Sequence, residues 1–184
     1  ASSLFYTAGM VLNDVFDYDV DNRERPERPL PSGQVSPRWA RWLGFEMLLL
    51  GLGLSWLAGY LQSGDLAPAF PWRSGVVATL LALCILLYDG PLKQTPLGPI
   101  VMGACRFFNV LLGMSALAAP WQIVQWVVAG AIGTYVAGIA WFARTEAERS
   151  SRFHLVMAAT VILAAGAGKK AAEAIHHDIQ SEAA

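Results

Sequence analysis

Long apolar segments alternate with short segments rich in polar and turn-forming residues along the chain. A helix needs about 20 apolar residues to cross the hydrocarbon core of a bilayer, and four segments come close to that length. They are 39–61, 76–88, 100–118 and 123–142. The second has a short apolar core and reaches a plausible span when it is counted from Pro71. Two further segments are shorter: 153–168 is marginal as a span, and 2–16 has the pattern of the second half of a helix.

Turn-forming and helix-breaking residues separate the apolar segments. They are Pro26, Pro29, Pro31 and Gly33, then Gly64, Pro68 and Pro71, then Gly90, Pro91 and Pro96, and finally Pro120. Only helices and closed barrels satisfy their backbone hydrogen bonds in lipid. No segment alternates apolar and polar residues with the period of two that a barrel strand requires. The pattern therefore predicts an all-α, multi-pass transmembrane helical bundle of about six helices.

The composition agrees with a membrane location. Hydrophobic residues make up 55% of the 184 residues and charged residues 15%, with a mean hydropathy of +0.42, whereas a soluble domain carries about 25% charged residues. A net charge of −1 argues against nucleic-acid binding, because proteins that bind nucleic acid carry a basic excess. The two cysteines, Cys84 and Cys105, lie in apolar segments, which excludes a disulfide framework and a cysteine-ligated metal site.

Basic residues concentrate in or beside the first, third and fifth loops between the predicted helices. These nine residues are Arg23, Arg25, Arg28, Arg38, Arg41, Lys93, Arg144, Arg149 and Arg152. The other two loops contain only Arg73. By the positive-inside rule we predict a cell-membrane protein with the odd-numbered loops on the cytoplasmic side. Lys169 and Lys170 do not fit this scheme, so we assign residues 1–168 to the membrane domain and 169–184 to a polar tail outside its core.

The most informative segment is 13–33, with the sequence NDVFDYDVDNRERPERPLPSG. Asn13, Asp17 and Asp21 are spaced four residues apart and Asp14 precedes Asp17 by three, so these side chains share one face of a helix. Like charges at this spacing destabilise an isolated helix, and a counter-ion must offset the repulsion. We call Asn13, Asp14, Asp17 and Asp21 the carboxylate ladder.

A magnesium-bound diphosphate suits this ladder. Mg²⁺ prefers oxygen ligands and typically takes one or two carboxylates together with substrate phosphate oxygens. The nearby Arg25 and Arg28 have the planar, bidentate geometry that binds phosphate. The alternative is a solvated helix end whose mixed charges pair with one another.

The ladder, followed by Arg-Pro-Leu-Pro-Ser-Gly at 28–33, resembles the first signature of the UbiA superfamily of intramembrane prenyltransferases. The resemblance implies a membrane enzyme that uses Mg²⁺ to move a prenyl group from a prenyl diphosphate to an aromatic or other lipophilic acceptor. It implies that Asn13, Asp17 and Asp21 hold magnesium and the diphosphate. From the ladder and the resemblance together we expect Asp14, Asp17 and Asp21 to hold the metal, with Asp17 and Asp21 in the catalytic set. We expect Asn13, Arg25 and Arg28 to bind the diphosphate. Members of the superfamily are longer, with about nine helices, so we expect this chain to be incomplete at both ends.

Tyr88 and Lys93 resemble a second feature of the superfamily, a Tyr-x-x-x-Lys pair on the next cytoplasmic loop, with one extra residue here. The resemblance assigns both to the catalytic set, with Lys93 neutralising the departing diphosphate. The alternative for Lys93 is an anchor at the membrane interface. Asp89, between them, is left with two possibilities, a pair with Lys93 or an additional metal ligand.

The chain departs from the superfamily at its second aspartate-rich motif, expected where the 123–142 segment ends. The residues there are RTEAERSS, with no Asp-x-x-x-Asp. Glu146 and Glu148 are the candidates for a second metal site, and a charged helix end with internal salt bridges is the alternative. This divergence resembles a less characterised branch, the UbiA-like proteins of the bacterial ebo gene cluster, and it weakens the transfer of a quinone-type acceptor to this chain.

Arg106 and Asn109 lie three residues apart within the apolar segment 100–118 and therefore share a helix face. A charge at membrane depth is costly and by default marks a functional or paired position. We expect this pair to meet the diphosphate or the ladder, with a structural salt bridge between Arg106 and Glu46 as the alternative.

A non-catalytic protein competes with the prenyltransferase interpretation. The absent second motif is compatible with a family member or transporter that binds a lipid diphosphate without turnover, whereas the intact ladder favours an enzyme. Prenyl diphosphate, a lipophilic acceptor and membrane lipids are the predicted partners.

Overall fold

The computed structural model describes residues 1–61, 70–115 and 121–147, the last three as backbone alone, and the single positions 160 and 163. Six helices account for most of these residues. They are α1 (Ser2–Phe16), α2 (Tyr18–Glu24), α3 (Pro37–Leu61), α4 (Arg73–Leu87), α5 (Gly98–Met114) and α6 (Ile123–Ala147). The described ranges contain no strand, which confirms the predicted all-α fold. Apart from positions 160 and 163, the predicted segment 153–168 and the tail 169–184 lie outside the described residues.

Three helical stretches are long and apolar enough to cross a membrane. They are Pro37–Leu61, Arg73–Leu92 and Ile123–Arg144, with 25, 20 and 22 residues. The second combines α4 with a π-helical turn at Tyr88–Leu92, in which Pro91 lacks the N–H that a regular helical turn would use. Helix α5 is also apolar but has only 17 residues. These positions agree with the four predicted spans to within a few residues, except that α5 is described as ending at Met114 rather than Ala118.

The helices pack as a chain of neighbours: α1 lies on α3, α4 lies between α3 and α5, and α5 pairs with α6. Small residues allow close approach, as is common between membrane helices. A Cβ atom at Gly103 of α5 would lie 2.5 Å from the carbonyl oxygen of Gly133 on α6. The buried core forms where α1, α4 and α5 meet, with Phe5, Leu12 and Leu111 almost fully enclosed.

Large apolar side chains cover the outer faces of the longer helices. Leu49, Leu57, Leu83 and Ile139 are exposed examples on α3, α4 and α6. Trp39 and Trp42 are also exposed near the beginning of α3, with ring centroids 5.3 Å apart. Aromatic residues of this kind are enriched at membrane–water interfaces, so the outer surface matches a helical bundle surrounded by lipid.

The charged loops meet at one end of the bundle. Arg144, near the end of α6, donates hydrogen bonds to the backbone carbonyls of Gln94 and Thr95, in the connection between the π-helical turn and α5. Lys93 of the same connection forms an ion pair with Asp17, at the end of α1. The structure therefore brings the predicted odd-numbered loops together, and their cytoplasmic location stays a prediction.

Candidate active site

The ladder spans a break between two helices. Helix α1 ends at Phe16 and α2 begins at Tyr18, with Asp17 between them at φ −84° and ψ 0°. Hydrogen bonds nevertheless continue with helical spacing, since the N–H of Asp17 donates to the carbonyl of Asn13 over 2.9 Å and that of Asp21 to Asp17 over 2.8 Å. The ladder residues thus keep a near-helical register across a junction that the sequence pattern did not predict.

Arg28 returns from the following loop to neutralise two ladder carboxylates. Its Nη1 atom lies 2.7 Å from Oδ2 of Asp21, which is only 6% exposed, and 3.5 Å from Oδ1 of Asp14. The hydrogen bond to Asp21, followed by the negative charges of the ladder, raises the pKa of Arg28 above its ordinary value. Leu30 anchors the same loop by packing in a small cluster with Val15 and Ala40.

Lys93 neutralises the remaining ladder carboxylate by its ion pair with Asp17. The π-helical turn positions this lysine, because Lys93 directly follows the turn. π-Helical turns occur frequently at functional sites, and this one places Tyr88, Asp89 and Lys93 beside α1.

Asp89 is the second buried carboxylate of this region. It is 6% exposed, and its Oδ1 atom accepts a hydrogen bond of 3.0 Å from the side-chain amide of Asn13. Its Oδ2 atom is buried without a hydrogen-bond partner in the part of the chain that the structure describes. Lys93 forms its ion pair with Asp17 and none with Asp89. Of the two roles left open for Asp89, the pairing with Lys93 is therefore not observed.

A cavity of about 370 Å³ lies between α1, α4, the π-helical turn and α5. Its lining includes six residues of one face of α1: Phe5, Tyr6, Gly9, Met10, Asn13 and Asp14. The opposite wall consists of Leu81, Ile85, Tyr88, Asp89, Lys93, Met102, Cys105, Arg106 and Asn109. The cavity therefore has a charged end at the ladder, an apolar middle and a second polar group at Arg106 and Asn109.

The second polar group is fixed by contacts with the beginning of α1. The guanidinium carbon of Arg106 lies 5.1 Å from the centre of the Tyr6 ring, a cation–π contact. The Ser2 hydroxyl donates a 2.5 Å hydrogen bond to Oδ1 of Asn109. Glu46 is exposed on α3, and the alternative salt bridge between it and Arg106 is absent from the described ion pairs.

The structure brings together most, but not all, of the sequence-predicted residues. Asn13, Asp14, Tyr88, Lys93, Arg106 and Asn109 line one cavity, and Asp17, Asp21 and Arg28 join them through ion pairs. Arg25 is exposed and its side chain pairs with no carboxylate of the described ranges. The side chain of Glu146 and all of Glu148 lie outside the described residues. Ser2 and Tyr6 were missed because an apolar helix offers no local signal that such residues contact α5.

The oxygen donors at the charged end fit a hard cation. Among the described residues, no three Asp, Glu, His or Cys side chains converge closely enough to hold a metal by themselves. Mg²⁺ does not require such a cluster, because it commonly takes one or two carboxylates and completes its shell with water and phosphate oxygens. Carboxylate and amide oxygens of Asp14 and Asn13 at the cavity wall, with a partnerless oxygen of Asp89, have the chemistry that this ion prefers.

These features define a helical membrane protein in which an apolar cavity ends at a group of carboxylates, amides and cations. The chain belongs to the UbiA prenyltransferase family, which it matches over residues 1–177. This match confirms the family predicted from the ladder and the loop that follows it.

Several relatives are named digeranylgeranylglyceryl phosphate synthase. The protein of Methanopyrus kandleri is 36% identical over 118 residues, which cover 61% of this chain and 39% of the relative. That of Metallosphaera sedula is 31% identical over 127 residues, or 68% of this chain and 40% of the relative. That of Thermococcus kodakarensis is 44% identical over 110 residues, or 59% and 35%. The chain thus spans about 40% of the length of these relatives, and no solved structure matches it significantly.

Proposed function

We propose that this chain forms the diphosphate-binding core of an intramembrane prenyltransferase, which transfers a prenyl group from a prenyl diphosphate to a lipophilic acceptor. The observation that carries this proposal is the cavity between α1, α4 and α5, which has a charged end and an apolar middle. Membership of the UbiA prenyltransferase family and relatives named for the synthesis of a geranylgeranyl-containing product support it.

The apolar middle of the cavity suits a prenyl chain. Met10 and Met102 are accessible apolar residues of the cavity wall, and the largely buried Phe5, Leu81 and Ile85 complete its apolar lining. Burying a prenyl chain against them is favourable by roughly 25 cal/mol per Å² of apolar surface removed from water. The same wall keeps water away from the reacting carbon, where hydrolysis would compete with transfer.

The ladder would hold the metal through Asn13, Asp14, Asp17 and Asp21. Mg²⁺ held by these residues would neutralise the diphosphate and make it a better leaving group. In the structure the same carboxylates are neutralised by Lys93 and Arg28. When a metal-bound diphosphate occupies the site, Lys93 and Arg28 would exchange their carboxylate partners for phosphate oxygens, and the freed carboxylates would hold the metal.

Lys93 and Arg28 then become donors to the diphosphate. Charge develops on the leaving diphosphate as the bond to the prenyl carbon breaks, and preorganised cations stabilise that charge. Tyr88 lines the cavity together with Lys93, and its hydroxyl group is proposed to donate a hydrogen bond to the same leaving group. Arg25, an exposed residue directly after α2, is proposed to attract the anionic substrate.

Arg106 and Asn109 are proposed to bind the acceptor and not the diphosphate. Tyr6, which Arg106 covers, precedes Asn13 by seven residues of α1, or about 10 Å at 1.5 Å per residue. A diphosphate bound at the ladder does not extend that far. We therefore assign Arg106 and Asn109 to the polar head of the acceptor, and the cation of Arg106 favours an anionic head group.

The decisive experiment measures Mg²⁺-dependent release of pyrophosphate from a labelled prenyl diphosphate by membranes containing the full-length protein. Prenyl chain lengths and lipophilic acceptors are varied, and the wild type is compared with Asp17→Ala. Asp19→Ala is the matched control, because Asp19 is an exposed carboxylate of α2. Metal-dependent release that is lost in Asp17→Ala and kept in Asp19→Ala is the expected result.

Two outcomes contradict the proposal in different ways. No release by the wild type with any donor and acceptor would favour the non-catalytic protein that binds a lipid diphosphate without turnover. Undiminished release in Asp17→Ala would remove Asp17 from the metal site while leaving prenyl transfer in place.

A further inference from the structure

Asp89 has one satisfied and one unsatisfied carboxylate oxygen in the wall of the cavity. Asp89 lies on the π-helical turn and is only 6% exposed. Oδ1 accepts the hydrogen bond from Asn13, whereas Oδ2 contacts no donor in the described residues. A buried polar atom without a partner costs about 1–3 kcal/mol, and more when it is charged. A buried Oδ2 atom of this kind therefore points to a ligand.

Neither Lys93 nor Arg28 supplies that partner. Lys93, four residues along, is committed to Asp17, and Arg28 is committed to Asp21 and Asp14. The positive charge of Lys93 and the negative charge of Asp17 both act on Asp89, in opposite directions. The direct hydrogen-bond donor to Asp89 is nevertheless a neutral amide, and its second oxygen has none. Buried charges in proteins are paired or coordinate metals, and a cation bound at Oδ2 would meet this requirement.

The amide of Asn13 links this oxygen to the ladder. Because Nδ2 of Asn13 donates to Asp89, the amide oxygen is left available for another contact. Asn13, Asp14 and Asp89 all line the same end of the cavity. The turn after α4 thus contributes a carboxylate to a region where the sequence pattern supplied ligands from α1 and α2 alone.

We propose that Asp89 is a metal ligand, binding a divalent cation through Oδ2 at the end of the cavity shared with Asn13 and Asp14. This inference rests on the proposed function, in which the cation accompanies the diphosphate. The expected second Asp-x-x-x-Asp motif is absent from this sequence. Asp89 would instead supply a carboxylate ligand from a segment other than the ladder.

The test measures binding of Mn²⁺, a paramagnetic substitute for Mg²⁺, to the full-length protein in lipid nanodiscs by electron paramagnetic resonance of the unbound ion. Asp89→Asn removes the charge but keeps a carbonyl oxygen that accepts the hydrogen bond from Asn13. Asp19→Asn removes an exposed carboxylate of α2 and is the matched control. We expect a Kd for Mn²⁺ at least about tenfold higher in Asp89→Asn and unchanged in Asp19→Asn.

A parallel measurement on Asp17→Asn separates the two proposals. Weakened binding in Asp17→Asn with wild-type affinity in Asp89→Asn would overturn the role of Asp89 and leave the ladder intact. Absence of both Mn²⁺ binding and pyrophosphate release in the wild type would overturn the proposed function itself.

A second pair of variants applies if Asp89→Asn does not fold. The side chains introduced by Asp89→Glu and Asp89→Gln have nearly the same size, but only the first is charged. If Asp89 is a metal ligand, the Asp89→Glu variant should bind Mn²⁺ more tightly than Asp89→Gln. Equal affinities in this pair would show that Asp89 acts only as a structural acceptor for Asn13.

Discussion

The side-chain amide of Asn13 donates a 3.0 Å hydrogen bond to the carboxylate of Asp89, 76 positions further along the chain. This bond joins the end of α1 to the π-helical turn after α4. The ion pair between Lys93 and Asp17 joins the same two elements. Two polar contacts therefore fix the carboxylate ladder against the segment that contains Tyr88 and Lys93.

Replacing Lys93 by Met should lower kcat by on the order of 10²-fold, because a preorganised donor to the leaving diphosphate is lost. The ion pair with Asp17 is also lost, but both side chains are partly exposed, so the effect on folding should be small. Steady-state kinetics with a saturating prenyl diphosphate measure the change. Arg38→Met is the control, since Arg38 is an exposed cation near the beginning of α3, and an equal loss in both variants would contradict a specific role for Lys93.

Arg28→Gln should lower the Tm of the detergent-solubilised protein, because it leaves the buried carboxylate of Asp21 without its cation. Arg25→Gln changes an exposed arginine of the same loop and should leave the Tm unaltered. The double variant Arg28→Gln with Asp21→Asn should recover part of the loss, since it removes the uncompensated charge. Equal Tm values for the two single variants would show that the ion pair does not stabilise the loop.

Arg106→Gln should raise the KM for the acceptor by about tenfold or more and change the KM for the prenyl diphosphate little. A tenfold change corresponds to about 1.4 kcal/mol, just under the contribution of about 1.5–3 kcal/mol from a hydrogen bond to a charged group. Glu46→Gln is the control, because Glu46 is exposed on α3 and forms no described ion pair with Arg106. A raised KM for the diphosphate alone would instead place Arg106 at the leaving group.

Gly103→Val should destabilise the contact between α5 and α6, since even a Cβ atom there would lie 2.5 Å from the carbonyl oxygen of Gly133. Overpacking of this kind costs about 1–3 kcal/mol. Gly113→Val provides the control on the same helix, because a Cβ at Gly113 meets no atom within 4 Å. Thermal unfolding in detergent measures both, and similar Tm values would show that α6 moves aside without cost.

Helix positions followed from the apolar pattern because about 20 consecutive apolar residues have few alternatives in lipid. The junction at Asp17 and the π-helical turn at Tyr88–Leu92 did not follow from it. Both are local departures from regular helix geometry at polar positions, where the apolar pattern gives no information. Pro91 marked a loop in the sequence, whereas the structure extends the helical hydrogen bonding through it.

The site was predictable where its residues lie close together in the sequence. Spacing alone placed Asn13, Asp17 and Asp21 on one face, and the structure keeps that register. The spacing rule cannot reach contacts between distant segments, such as the bond from Asn13 to Asp89 or the stacking of Arg106 on Tyr6. These depend on how α1 packs against α4 and α5, which sequence periodicity does not determine.

The pairs of Arg28 with Asp21 and of Lys93 with Asp17 have a consequence for competition by ordinary membrane lipids. Phospholipid head groups carry phosphate and vastly outnumber any prenyl diphosphate at the bilayer surface. An arginine and a lysine that already hold carboxylates offer little attraction to a lone phosphodiester, which would have to break a pair and strand an aspartate. A ligand that arrives with its own divalent cation meets both halves of each pair at once. In the proposed function, these resting ion pairs would therefore select against the surrounding lipid.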